Sequence, residues 1–109
     1  MDKFEKRKAE FMEMAKELSE QFYKKNKDYN DSYFNQGIEG FGVDKILAKV
    51  DFYVQIKRKF SRLAGFAERR LLGSKEKSLV DDETEEDTIK DLSIYCIMEL
   101  IKRGEKKWK

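Results

Sequence analysis

Asp87 and Asp91 stand one helical turn apart in the stretch Thr84 to Arg103, on a side that continues as Ile94, Met98 and Ile101. Two carboxylates at that spacing share a helix face, and paired acids are side chains that can meet a cation. At about 100° per residue, Ile89, Leu92, Cys96 and Leu100 form the opposite side of the same helix. A helix that is apolar on both sides belongs inside a bundle, where an ionised acid is costly unless a cation, a donor or water meets it. Metal or ligand binding is one expectation for this pair. The other is that both acids sit near the start of the helix, satisfied by its dipole, by water or by a neighbouring lysine.

The elements that must position these acids follow from spacing. Phe4, Arg7, Phe11, Ala15, Leu18 and Phe22 recur at intervals of three and four, which predicts a first helix over residues 3–25 with Asp2 as its cap. Glu10, Glu13, Glu17 and Glu20 fall on the far side of that helix and read as a solvated face rather than a metal row. Residues 26–42 break the pattern with Asn26, Asn30, Asp31, Ser32, Gly37, Gly40 and Gly42, and predict a long loop. Its aromatics, Tyr29, Tyr33, Phe34 and Phe41, either pin it to the bundle or face a ligand.

A second helix is expected from Val43 to Leu72, with Ile46, Val50, Tyr53, Ile56, Phe60, Leu63, Ala64, Ala67 and Leu71 on one side and Gly73 as the stop. Asp51, Arg58, Arg62 and Arg69 share the opposite, solvent-reading side. Residues 73–83 read as a polar connection, and the acids from Asp81 to Glu86 suit the start of the third helix. Gly104 is expected to end that helix, leaving a polar tail in which Trp108 can fold back.

Composition bounds the rest. The 109 residues support one helical domain, and 42% charged residues with no proline suit long exposed helices, so the fold class is all-α: a three-helix bundle with a long central helix. Three helices leave one side of the third uncovered, so completion by a homodimer is expected. The 24 basic and 22 acidic residues leave a net charge of +2, which argues against nucleic acid as the partner, although Lys57, Arg58, Lys59 and Arg62 form a local patch suited to phosphate. The lack of histidine removes imidazole bases and the usual zinc sets, and the single Cys96 permits no disulfide framework. No apolar run reaches membrane-spanning length, and a reducing, cytoplasmic setting is expected.

Three segments in order carry a resemblance: Lys25-Asn26-Lys27-Asp28-Tyr29-Asn30-Asp31-Ser32, then Lys59-Phe60-Ser61-Arg62-Leu63, then Asp82 to Leu92 leading to Tyr95. Together they resemble the often phage-encoded nucleotide modification associated domain 1 family, itself similar to the all-α nucleoside triphosphate pyrophosphohydrolases of the MazG-like and dimeric dUTPase kind. Lys25, Asn26, Asp28, Tyr29, Lys59, Arg62, Asp87, Asp91 and Tyr95 match the family's recurring positions, whereas Asn30 replaces a glycine, Arg58 an aspartate and Ile94 an asparagine.

The resemblance implies Asp87 and Asp91 as catalytic acids and Asp28, Asp87 and Asp91 as ligands of Mg2+. It further implies Lys25, Asn26, Asp28, Tyr29, Lys59, Arg62 and Tyr95 as residues holding a nucleotide or other phosphate-bearing small molecule, with Tyr29 or Tyr33 stacking on the base. Exchanging a carboxylate for the guanidinium of Arg58 lowers the expected metal affinity and raises that for phosphate. Two functions therefore stand side by side: a magnesium-dependent pyrophosphohydrolase, and a non-catalytic module that sequesters a nucleotide or docks on a modification, replication or defence protein, in a host cytoplasm if phage-encoded.

Overall fold

The computed structural model describes residues 2–35, 45–73 and 84–105. The fold is all-α, with no strand among the described residues. Four helices follow in order: α1 (Lys3–Asp28), α2 (Ser32–Asn35), α3 (Lys45–Leu71) and α4 (Glu85–Gly104). The chain divides into two compact units, Met1–Asn35 and Gln36–Lys109.

In the first unit, Asp2 caps α1 by accepting the backbone N–H of Glu5 at 2.8 Å. The helix outlasts its expected end by three residues, since Asn26, Lys27 and Asp28 carry no feature that must break it. It stops where Asn30 and Asp31 turn left-handed, at φ 52° and 58°. Asparagine and aspartate bear that conformation better than other side chains. The turn is tied by Asn26, whose Nδ2 donates to Asp31 Oδ1 at 2.9 Å and whose carbonyl accepts the Asp31 N–H at 2.9 Å. The expected loop is thus interrupted by a further helical turn, α2, and its residues 36–42 lie outside the described residues.

Helix α2 is short because it exists to bury Tyr33 and Phe34. Phe34 meets Phe22 of α1 edge to face at 6.1 Å and Tyr33 at 5.7 Å, a geometry favoured by the ring quadrupoles. With the buried Leu18, these rings form the small core of the unit. Glu10, Glu13, Glu17 and Glu20 are exposed, and Glu10 pairs with Arg7.

In the second unit, α3 spans roughly 40 Å and α4 roughly 30 Å at 1.5 Å per residue. The two pack antiparallel, as the cross-links Arg70 to Glu85, Lys59 to Asp91 and Tyr53 to Arg103 require. Gly73, at φ 68°, ends α3 in the left-handed conformation that glycine adopts without cost. The start of the expected second helix, Val43 and Asp44, lies outside the described residues, as do the connection 74–83 and the tail 106–109 with Trp108.

The packed arc of α3 differs from the expected one. Phe52, Ile56, Lys59, Leu63 and Phe66 are half-buried, whereas Val50, Tyr53, Phe60, Ala64, Ala67 and Leu71 of the expected stripe are exposed. Asp51, Arg62 and Arg69, expected toward solvent, are half-buried; only Arg58 of that set is exposed. The helix is apolar round most of its circumference, so spacing alone could not choose the arc. Long arginine stems can lie along apolar surface, and Arg69 does so with its guanidinium 4.8 Å from the centre of the Phe66 ring. On α4 the packed side is that of Asp91, Ile94 and Met98, while Ile89, Cys96 and Leu100 are exposed.

Candidate functional site

The residues singled out from sequence fall on two units: Lys25, Asn26, Asp28 and Tyr29 on the first, and Lys59, Arg62, Asp87, Asp91 and Tyr95 on the second. Asp28 is the last residue of α1 and is exposed, as are Lys25 and Tyr29. Asn26 is half-buried and spent on the turn, through its bond to Asp31.

The second unit brings two of its candidates together. Lys59 Nζ donates to Asp91 Oδ2 at 3.0 Å, an ion pair with both side chains about four-fifths buried. Because 32 residues separate the partners in sequence, the pair exists only through the packing of α3 on α4. Arg62 lies one turn beyond Lys59 and is half-buried; Tyr95 lies one turn beyond Asp91 and is likewise half-buried. The site is the Lys59–Asp91 pair between α3 and α4, with Arg62 one turn along α3 and the buried Ile94 three residues along α4.

Asp87 has a different task. Thr84 is the N-cap of α4: its Oγ1 accepts the Asp87 N–H at 3.1 Å, and Asp87 Oδ2 accepts the Thr84 N–H at 3.1 Å. This reciprocal capping box satisfies two of the donors that a helix start leaves open. The bonds from Thr84, backbone first and hydroxyl-side second, hold the Asp87 carboxyl below the ordinary carboxylate range. Thr88, one turn on, is fully buried and donates its hydroxyl to the Thr84 carbonyl at 3.2 Å. Asp87 is exposed and Asp91 half-buried, so the two acids that share a sequence spacing do not share an environment.

A magnesium cage needs several oxygens converging on one point. Among the described residues no group of three or more histidine, cysteine, aspartate or glutamate side chains gathers in that way. Asp87 is committed to the cap and Asp91 to Lys59.

A second cluster, at the far end of the same seam, was not foreseen. Glu99 and Lys102 are buried, and Glu99 accepts from Arg103 Nε at 2.6 Å. Arg103 also donates to Tyr53 Oη of α3 at 3.3 Å, and its guanidinium lies 5.9 Å from the Phe52 ring centre. The bonds to Glu99 and then Tyr53 push the Arg103 pKa up. The signal in the sequence was the Glu99 and Arg103 spacing of four, which orients an acid toward a base on one face. At the other end Arg70 is paired with Glu85.

Compared with family models, with curated proteins and with solved structures, the chain matches none.

Proposed function

We propose that this chain is a non-catalytic relative of the nucleotide-handling helical domains it resembles: a binding module that takes a nucleotide or another phosphate-bearing molecule without turning it over. The observation that supports this is the ion pair of Lys59 with Asp91. A carboxylate already paired with an ammonium offers a divalent cation little, because the metal must compete with that ammonium for the same oxygens. A phosphate, by contrast, need not displace Asp91, since an ammonium carries three N–H donors. It accepts from Lys59, and Arg62 one turn away adds a planar donor fork suited to phosphate oxygens.

The departures from the family pattern point the same way. Arg58 brings positive charge to the exposed side of α3 where the pattern has an acid, and Ile94 is used for packing where the pattern has a polar amide. A reducing cytoplasm is the setting this reading assumes. Its test is turnover: a panel of nucleoside triphosphates with magnesium at high protein concentration is expected to release no pyrophosphate above a protein-free control. Release that disappears in Asp91→Asn would overturn it and restore the hydrolase.

A second reading is docking on a modification, replication or defence protein, and one feature favours it. Val50, Tyr53, Phe60 and Leu71 lie exposed along α3, apolar surface that a partner could cover. Pull-down with wild type and with Phe60→Glu separates this reading from the first, since nucleotide binding would survive that substitution.

A further inference from the structure

The exposed side of α3 repeats at the interval by which one helix packs along another. Val50, Tyr53, Lys57, Phe60, Ala64 and Ala67 follow at spacings of 3, 4, 3, 4 and 3, and Leu71 continues the series. All of them are exposed, Phe60 at 66% and Leu71 at 88%. The stripe lies about a third of the way round the helix from Ile56, Lys59 and Leu63, on the side where α3 meets α4.

Uncommitted charge on this stripe selects what covers it. Lys59 is spent on Asp91, Arg70 on Glu85, Arg103 on Glu99 and Tyr53, and Arg69 lies over the Phe66 ring. Lys57 and Arg58 are different. Both are exposed, and among the described residues neither side chain makes a hydrogen bond, an ion pair or a ring contact. Lys57 stands within the stripe, and Arg58 borders it between Val54 and Ser61, one turn from each. Glu68 is exposed and likewise uncommitted, but it sits about three turns farther along the helix. The first half of the stripe is therefore basic as well as apolar.

We infer that this stripe docks an acidic amphipathic helix of another protein, with its apolar side chains on Tyr53, Phe60 and Leu71 and its carboxylates on Lys57 and Arg58. The inference rests on the docking reading above and gives the partner its chemistry. A purely apolar partner would cover the Lys57 ammonium without an acceptor, a desolvation cost that a carboxylate offsets. A basic partner would meet like charge at Lys57 and Arg58. A carboxylate opposite Lys57 also fixes the register, because an apolar repeat alone is nearly as well satisfied one heptad along. In the second half, the small side chains of Ala64 and Ala67 let two helix axes approach closely.

The test is fluorescence anisotropy of the full chain with two designed helical peptides of about three heptads, each carrying one leucine stripe and each kept below its self-association range. One has glutamate beside the stripe and the other has lysine. The glutamate peptide is expected to bind with a dissociation constant in roughly the micromolar range, at least about tenfold tighter than the lysine peptide. Lys57→Glu with Arg58→Glu is expected to reverse that preference. Phe60→Glu is expected to abolish binding of the glutamate peptide with the melting temperature unchanged, since Phe60 is exposed on the single chain. Equal affinity for the two peptides, lost in Phe60→Glu, would overturn the acidic partner while docking on the apolar stripe stands. Binding of neither peptide up to about 100 μM would overturn both. So would a Phe60→Glu chain that melts lower than wild type, because another part of the same chain would then cover the stripe.

Discussion

Lys59 Nζ lies 3.0 Å from Asp91 Oδ2, joining the middle of α3 to the first half of α4. Both side chains are about four-fifths buried, so the pair is shielded from the solvent screening that makes surface ion pairs nearly worthless. Asp91→Asn and Lys59→Met are each expected to lower the free energy of unfolding by about 1–2 kcal/mol. A double-mutant cycle in urea is expected to show a coupling of about 0.5–1.5 kcal/mol. Zero coupling would mean that packing alone sets the α3 to α4 register.

The capping box assigns Thr84 and Asp87 to the start of α4. Thr84→Ala is expected to cost about 1 kcal/mol and to reduce helical content near the start of α4, read by hydrogen exchange of the Asp87 and Thr88 amides. Asp87→Asn is expected to weaken the helix start in the same way.

Acid sensitivity follows from the same carboxylate. Its pKa in the folded chain lies below the ordinary value that it regains on unfolding. The stability it contributes is therefore complete above the ordinary value and is lost as pH falls through the folded one. Wild type is expected to lose stability in acid, below about pH 4, more steeply than Asp87→Asn, in chemical denaturation at stepped pH. Parallel curves for the two proteins would contradict the capping role.

Ile94 is 7% exposed, three residues beyond Asp91 on α4. Ile94→Ala is expected to cost about 2–4 kcal/mol, measured by thermal unfolding, through lost burial and the cavity left behind. Ile94→Asn is expected to cost at least as much, since it also buries an amide.

Asn30 holds φ at 52° in the turn between α1 and α2. Asn30→Gly is expected to be neutral within about 0.5 kcal/mol, and Asn30→Val to cost about 1–2 kcal/mol, because a branched side chain resists the left-handed region. Equal stability of Asn30→Gly and Asn30→Val in urea would show that the turn does not depend on that conformation.

Local signals in the sequence carried the fold further than they carried the site. Helix starts were legible because they are written in short range, Asp2 before α1 and the run of acids before α4, although the reciprocal box of Thr84 and Asp87 was not singled out. The helical turn α2 was not, since four residues between left-handed Asn30 and the chain beyond Asn35 make no periodicity. The packed arc of α3 was misjudged because Phe52 and Phe66 compete with Tyr53, Phe60 and Leu71 on a helix that is apolar nearly all round. Which acid does what depended on a partner 32 residues away for Asp91 and on a partner three residues away for Asp87. Only the second kind of relationship can be read along the chain.

The central claim is that Lys59 neutralises Asp91, so that the seam serves binding rather than metal-dependent hydrolysis. Calorimetric titration of a nucleoside triphosphate panel into the chain, with magnesium and with a chelator, tests it most directly, with Lys59→Met beside wild type. The expected result is saturable binding of at least one nucleotide, little changed by removing magnesium, weakened at least about tenfold by Lys59→Met, and without product. Binding that requires magnesium and is followed by pyrophosphate release, or no binding of any nucleotide, would contradict it.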